Sequence, residues 1–174
     1  LLQHVNGNSQ ALRATFEITV VDSHATADQL ALVFPFTEMS PAYTHKAMCL
    51  ATKGHVKLGT EMFVMDDTRG ALDWTSVYAP YLTRWQWLFV SGTTKAGKQF
   101  GINLSSLDHY HSKENAIWID GVAHLVGPVR FALPVSPQLE SHDDATPWAI
   151  ESLDGKLNLS FTPTHKKSVP MNAD

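Results

Sequence analysis

Charge is scarce in this chain. Only 17% of its 174 residues are Asp, Glu, Lys or Arg, and the balance is a formal −4 with nine histidines counted as neutral. No basic excess exists to neutralise phosphates, which excludes a general nucleic-acid binder. Cysteine is nearly absent. Cys49 alone excludes an internal disulfide and fits a reducing, cytoplasmic compartment. It lies in the apolar run Ala47-Met48-Cys49-Leu50-Ala51 and reads as a buried small hydrophobe. No run approaches the ~20 apolar residues of a membrane span, so no transmembrane segment is expected. No window keeps a 3.6-residue period over three turns, which argues against a helical fold. Neither G-x-x-x-x-G-K-S/T nor G-x-S-x-G occurs, so a phosphate loop and a hydrolase elbow are unsupported. No cofactor is expected.

What is there is apolar content, 44% of the chain, arranged with a period of two. That is enough to build a core. Ala14, Phe16, Ile18 and Val20 alternate with Arg13, Thr15, Glu17 and Thr19, the pattern of a strand with one wet face. Leu30, Leu32, Phe34 and Phe36 repeat it. Residues 43–51 and 55–64 read as a hairpin about Lys53-Gly54. Trp85, Trp87 and Phe89 share a face, Lys95-Ala96-Gly97-Lys98 turns the chain, and Phe100, Ile102 and Leu104 return. Asp120-Gly121 and Asp154-Gly155 are hairpin signals, the second suited to a two-residue type I′ turn. Val129 and Phe131 mark a further strand between them. About eleven strands result, which argues an all-β sandwich or barrel. That exceeds one eight-stranded barrel. The polar stretch Asp66-Asp67-Thr68-Arg69-Gly70 is the best internal boundary. It divides residues 1–66, strands of a first, incomplete barrel, from residues 67–174, strands of a second.

Chemistry concentrates in one region. Asp73, Trp74, Thr75, Tyr78, Tyr81, Arg84, Trp85 and Trp87 form the densest cluster of functional residue types. Such aromatics offer an apolar body with a polar tip and can line a pocket mouth. The plain structural reading is a core plug, with Asp73 paired to Arg69 or Arg84. Glu114 and Asn115 stand at a strand entrance, where Glu114 could form an acid–base pair with Asp73. The competing reading is an exposed turn. Asp108-His109-Tyr110-His111 has the look of metal ligands, but no partner pair at standard spacing exists, and it reads as a solvated loop. His142-Asp143-Asp144 reads as a loop as well. No metal site is expected.

Taken in order, several motifs resemble a known family. They are Asp67-Thr68-Arg69-Gly70, Leu72-Asp73-Trp74-Thr75 and Thr83-Arg84-Trp85-Gln86-Trp87. Gly101-Ile102-Asn103-Leu104, residues 114–121, Pro147-Trp148 and residues 157–163 follow. Together they resemble DUF2804, an uncharacterised family whose members are considerably longer. The resemblance implies that Leu1 and Asp174 are both internal cuts. The likeness departs at Ser76-Val77, where the family often carries Arg-Gly. A more distant similarity is to the carotenoid 1,2-hydratase and AttH-like group of double lipocalin-like barrels. Asp73-Trp74, Trp85-x-Trp87 and the stretch from Gly97 to Leu104 keep that order. The group's His-Glu pair is replaced by Trp74-Thr75, so its activity is not carried over.

The expectation is an antiparallel, lipocalin-like fold, with parts of two barrels, that binds or acts on an apolar, lipid- or isoprenoid-like small molecule. Asp73 and Glu114 are its candidate catalytic pair. Trp74, Tyr78, Tyr81, Arg84, Trp85, Trp87, Asn103, Asn115 and Trp118 are its candidate ligand contacts. The alternative is a non-catalytic structural or interaction module.

Overall fold

The computed structural model describes residues 14–21, 27–107, 113–132 and 147–163, to which the following account is confined. These residues form eleven strands and no helix. They are β1 (Ala14–Val21), β2 (Gln29–Thr37), β3 (Ser40–Leu58), β4 (Glu61–Val77), β5 (Trp85–Thr93) and β6 (Gln99–Leu107). β7 (Ala116–Ile119), β8 (Val122–Leu125), β9 (Val129–Ala132), β10 (Trp148–Ser152) and β11 (Asn158–Phe161) follow. Every pairing is antiparallel.

Two of the expected turns are not turns of the expected kind. Lys53-Gly54 lies inside β3, which runs unbroken from Ser40 to Leu58. Gly54 faces Ile18 on β1 and Met65 on β4. Its φ is 139°, and a Cβ there would come within 2.0 Å of the Glu17 carbonyl oxygen. The glycine answers the close approach of β1, not a reversal of the chain. The reversal comes at Gly59-Thr60. Asp66-Asp67-Thr68-Arg69-Gly70 is likewise strand, with Thr68 opposite Thr52 and Gly70 opposite Leu50. At Asp154-Gly155 only the glycine takes a positive φ, 73°. The loop is four residues wide, closed by Ser152 N–H to the Leu157 carbonyl at 2.9 Å. Asp120-Gly121 does form the expected tight turn, with φ of 49° and 85°.

The strands make three sheets. β3 pairs with β1 and β2 along one edge and β4 along the other; β5-β6-β7-β8 form the second sheet and β11-β10-β9 the third. The fold is all-β and antiparallel, and among the described residues no sheet closes on itself into a barrel.

The β5–β8 sheet lies between the other two. Met48 and Cys49 of β3 pack on Ala116 and Trp118 of β7, joined by Leu30 and Phe89. At Gly101 the fit is so close that a Cβ would approach Met48 Cβ to 2.5 Å. On the opposite face Leu104 packs on Val129 and Ile150. Cys49 is buried, as its apolar surroundings suggest, and burial raises its thiol pKa above the ordinary value. It occupies a bulge between Ala47 and Leu50 with φ 58°, its N–H bonded to Ser91 Oγ at 3.0 Å.

Candidate functional site

Strand parity builds the site. Lys46 on β3 stands directly opposite Asp73 on β4, and Thr44 opposite Thr75. Side chains two apart share a face, so Asp73, Thr75 and Val77 point the same way. On β5 the same rule aligns Trp85 with Trp87, across the ladder from Leu107 and Ser105. These faces, with Phe36, Ala79, Thr83 and Glu114, enclose a half-open cavity of about 290 Å³ between the first and second sheets. Its walls are mostly apolar and its floor is charged.

The floor centres on Lys46, which is only 2% exposed. Its Nζ donates to Asp73 Oδ1 at 2.5 Å and pairs with Glu114 Oε2 at 3.2 Å. It also reaches Thr75 Oγ1 at 3.5 Å and lies 5.7 Å from the Trp87 ring centroid. Thr75 Oγ1 donates to Asp73 Oδ1 at 3.2 Å. Ser105 Oγ donates to Glu114 Oε1 at 2.9 Å. A lysine this deep is held by matched charge and hydrogen bonds, without which its desolvation would be prohibitive.

Behind the floor, Asn103 is fully buried and braces two of these residues. It accepts from Trp87 Nε1 at 2.9 Å and donates to the Glu114 carbonyl at 2.8 Å. Asn115, also fully buried, accepts from Ser105 N–H at 2.7 Å and donates to the Gly127 carbonyl at 3.2 Å. Both amides hold the backbone and side chains that shape the cavity without lining it.

The structure therefore brings Asp73, Glu114, Trp85 and Trp87 to one cavity and sorts the other candidates elsewhere. Trp74 follows Asp73 on the strand and faces the other way, 54% exposed, edge-on to Tyr43 with centroids 5.3 Å apart. Tyr78 and Tyr81 are 88% and 95% exposed and line no part of the cavity. Arg84 is exposed beside them, on the parity opposite to Trp85. Trp118 is buried in the Met48 cluster, its Nε1 bonded to the Asp28 carbonyl at 2.9 Å. His109 and His111, like His142, Asp143 and Asp144, lie outside the described residues. Among the described residues no group of three His, Cys, Asp or Glu could hold a metal ion, and no helix is long and apolar enough to cross a membrane.

Sequence reading missed Lys46 and Ser105. A signal for Lys46 was available. It shares strand parity with Ala42 and Thr44, the inward positions of a strand otherwise free of inward charge.

No curated protein and no solved structure matches the chain. A family model, described as a domain of unknown function, matches residues 2–173. The match takes in every residue that lines the cavity and nearly all of the chain besides, which therefore belongs to the DUF2804 family.

Proposed function

We propose that the cavity binds a small apolar molecule, lipid- or isoprenoid-like, and that the charged floor orients or acts on its polar end. The observation that carries this is a buried ammonium between two carboxylates at the bottom of an aromatic-walled recess. Largely apolar recesses with a few convergent polar groups are where small ligands bind. The volume sits at the low end of the usual range of roughly 300–1,000 Å³. On this reading the ligand lies between antiparallel strands that, among the described residues, form no closed barrel. That Asp73 and Glu114 share one cavity with a lysine between them supports a role for the pair in general acid–base work on a bound molecule. A second reading has its own support. Lys46 is matched within the protein by both carboxylates, as a purely structural ion group would be.

Nile red, a neutral dye whose emission rises in apolar surroundings, separates the two. Saturable one-to-one binding is expected for the native chain, with at least a tenfold loss (about 1.4 kcal/mol) in Trp85→Ala. Trp85 is 56% exposed, so the variant should stay folded by circular dichroism. Binding that is absent, or unchanged in the variant, would leave the structural module as the reading.

A further inference from the structure

Among the described residues the cavity floor sets two carboxyl groups, Asp73 and Glu114, against the single ammonium of Lys46, and no other cationic side chain lines the cavity. The ammonium is also fully committed. Its contacts are Asp73 Oδ1, Glu114 Oε2 and Thr75 Oγ1, with the Trp87 ring nearby. An ammonium has three protons to give, so none remains for a ligand.

The carboxylates are committed unequally. Both oxygens of Glu114 are engaged, Oε1 by Ser105 and Oε2 by Lys46. Asp73 receives Lys46 and Thr75 on the same atom, Oδ1. Among the described residues nothing donates to Asp73 Oδ2. The Asp73 side chain is 23% exposed and forms part of the cavity lining. The floor therefore offers an incoming molecule an anionic acceptor and no free donor from its lysine.

Resting on the reading of the cavity as a binding site, we propose that its ligand is an apolar molecule ending in a hydrogen-bond donor, a hydroxyl or an amine. The donor bonds Asp73 Oδ2, and molecules ending in a carboxylate are rejected. A donor gains a charge-assisted hydrogen bond in a partly desolvated place. A protonated amine gains further from the net negative floor and the tryptophan faces. A carboxylate meets an uncommitted oxygen of like charge and loses its water without replacement.

The test holds the apolar part constant. Decanol, decylamine and decanoate compete with Nile red at pH 7. The alcohol and the amine are expected to displace the dye at concentrations at least about tenfold below decanoate, as one unpaired charge predicts. In Asp73→Asn, which keeps the shape and an acceptor but removes the charge, the advantage of decylamine over decanoate should fall below about threefold. Decanoate competing as well as the other two overturns the inference, and so does a native preference that Asp73→Asn leaves intact. Should Asp73→Asn fail to fold, the native rank order decides alone. If the dye binds and none of the three displaces it, the inference fails while the cavity stands as a binding site. If the dye itself does not bind, both fall.

Discussion

The β5–β8 sheet presents two unlike faces to its two neighbours. Toward β9–β11 it offers Leu88, Ile102 and Leu104, which meet Val129, Phe131, Ile150, Leu157 and Leu159 in an apolar cluster. Toward β3 and β4 it offers Trp87, Asn103 and Ser105, which frame a cavity over a buried lysine. One strand, β6, supplies both, since Ile102 and Leu104 alternate with Asn103 and Ser105. The first face is closed by dispersion and the hydrophobic effect, which need no particular partner. The second joins β3 through the apolar Met48–Trp118 cluster at one end, and around the cavity it is closed by charges and amides, each of which must find its own partner. A polar interior of this kind is sensitive to loss of any one member, whereas an apolar one degrades by volume.

The largest effect is expected at Lys46. Lys46→Met fits the space but leaves Asp73 and Glu114 facing each other without a cation, a loss of about 3–5 kcal/mol. Urea unfolding would show it as a lowered midpoint with unchanged slope. Adding Asp73→Asn and Glu114→Gln to that variant should restore most of the loss, because neutral replacement of a whole buried ion group is often tolerated. If the triple variant is no more stable than Lys46→Met, the polar face is not held by charge matching, and the contrast between the faces breaks.

Next comes the apolar face. Leu104→Ala should cost about 2–5 kcal/mol by the same measurement, since the side chain is fully buried. No second substitution of a charged residue should recover it. Nile red affinity should change little in this variant, because Leu104 lies on the side of β6 away from the cavity. A marked loss of dye binding would show that the two faces are coupled through the strand.

The smallest effect belongs to the third sheet. In the loop between β10 and β11, Ser152 Oγ donates to Asp154 Oδ1 at 2.7 Å, and the Lys156 backbone N–H and ammonium lie at 3.2 Å and 3.1 Å. These hold the carboxyl at about 2, below its ordinary 3.8. A carboxyl with a lowered folded-state pKa stabilises the fold above its unfolded value and loses that contribution as pH falls through the folded one. Asp154→Asn should therefore lower the melting temperature slightly at pH 6. The difference should narrow between pH 3.8 and pH 2, the window set by those two values. The site is exposed, so screening keeps the effect below that of either interior variant. A constant difference across the acid range would remove Asp154 ionisation as the cause.

Much of the fold was legible because alternation is a local property. The returning strand at Phe100, Ile102 and Leu104, the Asp120-Gly121 turn and the Trp85–Trp87–Phe89 face needed only the neighbouring residues to be read. Lys53-Gly54 misled because a glycine required by a neighbouring backbone looks, in one dimension, like a glycine required by a turn. At the candidate site, Asp73, Glu114, Trp85 and Trp87 were named and are found on one cavity. Trp74 was named with Asp73, although adjacent residues of a strand face opposite ways. Tyr78, Tyr81 and Arg84 stand close to these residues along the chain, but their side chains are exposed and do not line the cavity, whereas Ala79 and Thr83 of the same stretch do.

By itself the sequence determined that the chain is antiparallel β, that each strand has a face to bury, and which residue types could do chemistry. Periodicity and turn chemistry act over a few residues, and those are written in order along the chain. The tertiary structure alone decided that the sheets stack without closing among the described residues, and that Lys46 on β3 pairs with both Asp73 beside it and Glu114 at the entrance to β7. Those partners are 27 residues apart in one case and separated by the whole of β4, β5 and β6 in the other. Charge matching across such distances depends on which sheet faces pack together, and no local pattern carries that information.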